Sequence, residues 1–117
     1  MNINDWLNKF KYSWENKNID DVLLLFSANV IYYETPFHKL NGLDEIKKEW
    51  LAILDQNEID LRYSVFSIDD NKYTIQWDLK YFSKDGNQFH FSGVYLIKLN
   101  EMGLCDEFRH YCEKDTF

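Results

Sequence analysis

The chain has 117 residues, one domain's worth of sequence. Hydrophobic residues make up 45% and aromatics 18%, too rich a mixture for a disordered chain. Thirteen Lys+Arg against 20 Asp+Glu leave a net charge of −7, which argues against a nucleic-acid partner, since phosphate binding needs a basic face. The basic residues are dispersed; the one adjacent pair, Lys47-Lys48, is followed by Glu49. The longest strongly apolar run, Val22 to Phe26, falls far short of the ~20 residues of a membrane helix. No basic start leads into an apolar stretch. The expectation is a cytoplasmic protein with no membrane association.

Ile3, Leu7, Phe10 and Trp14 recur at helical spacing, with Trp6 beside them, and predict an amphipathic helix over residues 3–16. Asn18 suits a cap, and Asp21 favours the first turn of a second helix. That helix turns Val22, Leu25 and Phe26 inward and ends near Ser27. The β-branched and aromatic run Val30 to Thr35 reads as a short strand stopped by Pro36. Asn41-Gly42 leads into a third helix, with Asp44 in its first turn and Leu43, Ile46, Trp50 and Ile53 on its apolar face.

From residue 58 the period changes to two. Ile59, Leu61, Tyr63 and Val65 share one face; Phe66 and Ile68 take the other parity, which places a bulge near Val65-Phe66. After the turn Asp69-Asp70-Asn71, the residues Tyr73, Ile75, Trp77, Leu79 and Tyr81 line one face of the next strand. Asp85-Gly86 signals a hairpin. Phe89, Phe91, Gly93, Tyr95, Ile97 and Leu99 continue the apolar face, and a turn at residues 100–103 leads into a last strand over about 104–112. On one extended strand Cys105 and Cys112 lie about 23 Å apart at ~3.3 Å per residue, beyond the ~7 Å limit of a disulfide. Their odd spacing puts them on opposite faces, so two free thiols are expected.

Helices followed by strands joined through tight turns predict an α+β fold: three N-terminal helices packed in a strongly curved antiparallel sheet. Strands this long must curl to enclose the helices, and the bulge is a device for that bend. Residues 1–117 read as a single domain, with no internal repeat or low-complexity linker. No H-x-x-x-H or C-x-x-C is present, nor a glycine-rich phosphate loop or a nucleophile elbow, so no metal and no cofactor is expected.

Several segments in this order resemble the nuclear transport factor 2 superfamily, and within it the SnoaL-like proteins. Trp14-Glu15, Asp20-Asp21 and Leu25-Phe26 are similar to that family's opening helices. Tyr33-Glu34-Thr35-Pro36-Phe37 is similar to its first strand and exit, and Leu40-Asn41-Gly42 with Ile46 and Trp50 to its third helix. Gly93-Val94 and the stretch from Asn100 to Cys105 resemble its last hairpin. The resemblance implies a cone-shaped half-barrel of the cystatin-like type, with a pocket at the open end. It leaves the activity open, because this fold hosts isomerases, cyclases, hydratases, epoxide hydrolases and non-catalytic binders.

On that architecture the helices supply Phe10, Trp14 and Trp50 to the pocket, and the inner sheet face supplies Trp77, Tyr95 and Ile97. The parity of Val30 adds Tyr32 and Glu34; that of Phe108 adds His110 and Cys112. Mostly apolar walls with a few polar groups describe a small-molecule site. The catalytic candidates are Glu34, Tyr95 and His110. The ketosteroid isomerases of the same superfamily sharpen this. Their oxyanion tyrosine falls on Phe10, and their second oxyanion donor on Tyr95. Their catalytic aspartate falls on Glu34 or, when the comparison is anchored on Pro36, on Thr35. Each candidate also has a purely structural role open to it: a strand-end carboxylate in water, a hydrogen-bonded strand histidine, packing aromatics with satisfied hydroxyls. His38 is placed on a solvated loop, and His90 on the outer parity with Gln88 and Ser92.

The expected function is the binding of a small hydrophobic molecule in an aromatic pocket. The first alternative is an acid–base enzyme of isomerase, cyclase or hydratase type using Glu34 with Tyr95 or His110; the second is a protein-interaction module. Phe82, Val94, Leu96 and Tyr111 lie on the outer sheet parity among polar residues and suggest a homodimer through that face.

Overall fold

The computed structural model describes residues 2–116. Helix α1 spans Ile3–Glu15 and is capped by Asn2, whose side chain accepts from the Asp5 N–H at 2.9 Å. Its inner stripe buries Ile3, Trp6, Leu7, Phe10 and Trp14 almost completely. At its end Glu15 Oε2 accepts from the Leu61 N–H at 3.0 Å, which fastens the helix to the sheet.

Helix α2 spans Ile19–Leu23, and the Asn18 side chain accepts from the Asp21 N–H at 3.2 Å. It stops short of the expected Ser27 because long-range hydrogen bonds take over the backbone. The Leu25 carbonyl accepts from the Cys105 N–H at 2.8 Å and from the Trp6 indole at 2.9 Å. Strand β1 therefore starts at Phe26 and runs to Thr35, earlier than the Val30 start that local composition suggested.

A short strand β2, His38–Asn41, folds back on β1 with Tyr32 opposite Leu40. His38, expected on a loop, opens this strand and is exposed. With four residues and one buried side chain, Leu40, β2 is too brief to show an alternation. Helix α3, Gly42–Trp50, passes into a 3-10 turn, Leu51–Asp55, which carries Ile53. Four long strands follow: β3 Asn57–Asp69, β4 Lys72–Phe82, β5 Gln88–Leu99 and β6 Cys105–Lys114.

The six strands form one curved sheet in the order β2-β1-β6-β5-β4-β3, with the helices against one face. Four of the five strand pairings are antiparallel, those of the meander and of the β1–β2 hairpin; β1 and β6 run parallel to each other. No tight turn links β1 to β6, since residues 36–104 lie between them, so their relative direction is free. The architecture is α+β and cone-like as expected, with a mixed rather than wholly antiparallel sheet.

Two bulges shape the inner face. Phe66 has no partner between the pairs Val65–Ile75 and Ser67–Thr74. Asp106 is the second, between Leu99–Cys105 and Lys98–Glu107. It shifts the parity of β6, so Cys105 and Cys112 face inward together, contrary to the odd-spacing expectation. Both remain free thiols. Gly93 sits where β6 presses closest on β5: a Cβ there would lie 1.9 Å from the Tyr111 carbonyl oxygen and 2.8 Å from Cys112 Cα. On the outer face Val94 pairs with Tyr111, and Leu96 follows on the same side. Phe82 pairs with Gln88 at the hairpin end, six residues along β4 from the Gln76 that faces Val94. At ~3.3 Å per residue that is about 20 Å away.

Candidate functional site

The inner face and the helices enclose a cavity of ≈ 270 Å³, near the lower end of the ~300–1,000 Å³ usual for small-molecule sites. Its floor is aromatic. Phe10 from α1 meets Trp50 of α3 edge to face at 5.4 Å and Tyr95 of β5 at 5.6 Å. Trp77 of β4 stacks on Tyr95 at 4.9 Å, and Phe108 of β6 stacks on Tyr32 of β1 at 4.8 Å. These preferred ring geometries hold the walls in place. The mouth is more polar and accessible, formed by Glu49, Ala52, Gln56, Tyr81, Phe91 and Cys112.

Of the residues anticipated from sequence, Glu34, Tyr95, His110, Phe10, Trp14, Tyr32, Trp50, Trp77, Phe108 and Cys112 all line this cavity. Ile97 does not. It shares the inner parity but lies further along β5, buried at 2% exposure in the core beyond the cavity floor. Leu79, Tyr81 and Phe91 line the cavity and were passed over, although they share the parity of Trp77 and Tyr95. Glu49, Ala52, Ile53 and Gln56 carried no such signal, because their place depends on how α3 and the 3-10 turn close over the sheet. The choice between Glu34 and Thr35 falls to Glu34: Thr35 is exposed, its hydroxyl accepting from the Phe37 N–H at 3.3 Å.

Glu34 and His110 sit side by side where β1 runs parallel to β6. His110 Nδ1–H donates to the Glu34 backbone carbonyl at 2.9 Å, and the Glu34 carboxylate is 3.7 Å from the same nitrogen. With Nδ1 bearing the proton, Nε2 keeps its lone pair. The imidazole also stacks on Trp77 at 5.3 Å. Burial lowers the His110 pKa, opposed in part by the hydrogen bond to Glu34. Burial, helped by the Glu49 carboxylate, pushes Glu34 up to about 7. Near neutrality the pair is thus an uncharged imidazole beside a carboxyl group about half ionised. Burial, with the Glu34 charge, also raises the Cys112 thiol, which makes it a poor nucleophile.

The hydrogen-bonding account of the walls is incomplete in one place. Trp50 Nε1–H donates to the Tyr32 hydroxyl at 3.1 Å, and Trp14 Nε1–H donates to Gln56 Oε1 at 2.9 Å. Trp77 Nε1 and the Tyr95 hydroxyl are buried without any protein partner. Both residues also contribute to the cavity wall, with these two atoms sealed inside it. Among the described residues no group of three His, Cys, Asp or Glu could hold a metal ion, and no helix is long and apolar enough to cross a membrane.

The sequence profile of the SnoaL-like domain matches residues 7–107. A comparison with curated proteins gives no match. Among solved structures, the chain is similar to an NTF2-like protein of unknown function from Exiguobacterium sp. 255-15. The two are 21% identical over 95% of this chain and 99% of that one, with a TM-score of 0.77. It is also similar to SalBIII, an epoxide hydrolase/cyclase-like enzyme in pyran ring formation in the polyether salinomycin, at 9% identity, 94% and 89% coverage and a TM-score of 0.81. A third is RV0760c from Mycobacterium tuberculosis, in complex with estradiol-17beta-hemisuccinate, at 14% identity, 91% and 89% coverage and a TM-score of 0.76. Identities this low carry the fold and leave the chemistry to the site itself. With the profile match spanning most of the chain, the protein belongs to the SnoaL-like domain family, and it shares the fold of the NTF2-like protein from Exiguobacterium.

Proposed function

We propose that this SnoaL-like domain binds a small, mostly apolar molecule in the aromatic cavity. The observation that carries this is the cavity itself, walled by aromatic rings with a few polar side chains among them. The complex of RV0760c, a protein of the same fold, with a steroid derivative supports this reading. A thermal-shift screen tests the proposal, because a ligand of the native state raises stability by RT ln(1 + [L]/Kd). Trp14, Trp50 and Trp77 also make binding visible as a change in fluorescence. A screen in which no apolar compound moves either signal overturns it.

A second reading is favoured by the Glu34–His110 pair. A carboxyl near 7 beside an imidazole with a free Nε2 lone pair can take a proton from a substrate and return one elsewhere. The unpartnered Tyr95 hydroxyl and Trp77 indole are suited to stabilise negative charge developing on a substrate oxygen. Isomerisation, cyclisation and hydration of a small hydrophobic substrate all fit this pattern, and SalBIII supports the cyclase class. For an enzyme of this kind, Glu34→Gln abolishes turnover while binding persists. Unchanged turnover in that variant refutes the mechanism.

The outer sheet face suits a homodimer. Val94, Tyr111 and Leu96 form a contiguous apolar patch, with Leu96 37% exposed, while Phe82 lies apart from it. Leu96→Lys places two symmetry-related charges in such an interface and yields a monomer of 14.2 kDa in sedimentation. An unmodified protein that already sediments at that mass removes the dimer.

A further inference from the structure

We propose that the cavity selects an organic ammonium ion with small apolar substituents, seated against the aromatic walls with Glu34 as its counter-ion; this rests on the small-molecule-binding reading above. The cavity carries two carboxylates, Glu34 and Glu49, and not one Lys or Arg. Among the described residues Glu49 has no ion pair, and Glu34 approaches only His110, at 3.7 Å. Burial disfavours protonation of that imidazole, although its Nδ1–H bond to the Glu34 carbonyl works the other way. A carboxylate inside an aromatic cavity is ordinarily paired. Here the protein supplies no cation: Glu34 answers burial by holding its proton up to about 7, and a cationic ligand is the partner its ionised form lacks.

The walls point the same way. Rings from α1, α3, β1, β4, β5 and β6 surround the space, and a cation over a ring face gains about 0.5–2 kcal/mol. An alkylated ammonium suits them better than a primary one. The ring faces that make up most of the wall offer the N–H groups of a primary ammonium no lone pair.

Binding of such a cation is linked to pH through Glu34. The groups facing that carboxyl are Glu49 from α3, Tyr32 from its own strand, Tyr95 from β5, and His110 and Cys112 from β6. Burial pushes both tyrosines and Cys112 up, away from neutrality. Glu34, at about 7, is the carboxyl that ionises in this range. A bound cation draws it toward the ionised form and releases a proton.

Choline and 3,3-dimethylbutan-1-ol test this, because they share shape and hydroxyl and differ in nitrogen against carbon. Tryptophan fluorescence and calorimetric titrations are run at matched ionic strength, at pH 8 and pH 5.5, on the unmodified protein and on Glu34→Gln. The expected result is choline about tenfold tighter than the alcohol at pH 8. That advantage shrinks below about threefold at pH 5.5 and in Glu34→Gln at either pH. If the alcohol binds and choline binds no better at pH 8, charge selection is wrong and the apolar-ligand reading stands. If choline keeps its advantage in Glu34→Gln, the assigned counter-ion is wrong. If neither compound binds while the protein is folded by circular dichroism, this inference falls, and the reading beneath it falls only with the apolar screen.

Discussion

Glu34→Gln separates the site's electrostatics from its shape. In the native state the Glu34 carboxyl is held at about 7 against an ordinary 4.5. Between those values the folded protein keeps a proton that the unfolded chain releases. The associated stability is fully present below pH 4.5 and is lost as pH rises to about 7 and beyond. At 1.36 kcal/mol per pH unit the full effect is about 3 kcal/mol. The side chain is 31% exposed, and solvent at the cavity mouth screens part of it, so about 2 kcal/mol is expected. Glutamine has the same shape and no titration. The assay is urea unfolding of both proteins from pH 4.5 to pH 8, read as the difference in stability. The histidines titrate in both proteins and largely cancel: His90, raised by Asp78, and His110, lowered by burial. The His110 hydrogen bond uses the Glu34 backbone and survives the substitution. The difference should move by about 2 kcal/mol in favour of Glu34→Gln between pH 4.5 and pH 8. Two curves that stay parallel across that range refute a buried, proton-retaining carboxyl.

Gly93→Ala places a Cβ 1.9 Å from a backbone oxygen of β6, and forcing those strands apart should cost about 2 kcal/mol or more in urea unfolding; a loss under about 0.5 kcal/mol contradicts the close approach. Tyr32→Phe removes the acceptor of Trp50 Nε1–H and leaves a buried donor unpaired, at a cost of about 1–3 kcal/mol; an unchanged urea midpoint would mean the bond contributes nothing. His90 is held above 6.5 chiefly by its 2.6 Å hydrogen bond to Asp78. Asp78→Asn should therefore lower its midpoint in an NMR titration, and a midpoint that does not move assigns the shift elsewhere.

What could be read from sequence was whatever repeats along one element. The stripe Ile3, Leu7, Phe10, Trp14 and the period-two runs through Trp77 and Tyr95 report which side of a helix or strand is apolar, and that side is buried. The bulge at Phe66 was legible because parity breaks there. So was the pairing of Glu34 with Tyr32 on the inner face, and most of the aromatic wall with it. Tertiary structure decided whatever depends on two elements at once. Leu25 leaves the helical pattern because Trp6 and Cys105 claim its carbonyl. Cys105 turns inward because Asp106 is unpaired against β5. Ile97 and Tyr95 share a parity, yet only Tyr95 reaches the cavity, because an empty volume is what several elements fail to fill and no single strand encodes it. Glu49 enters the site by where α3 lies, and the Glu34 carboxyl rises because that placement and the surrounding rings remove water and add a like charge. Periodicity is local and says which residues turn inward; distance, hydrogen-bond partners and charge environment are set by chain segments remote in sequence, and they make the inner face a site.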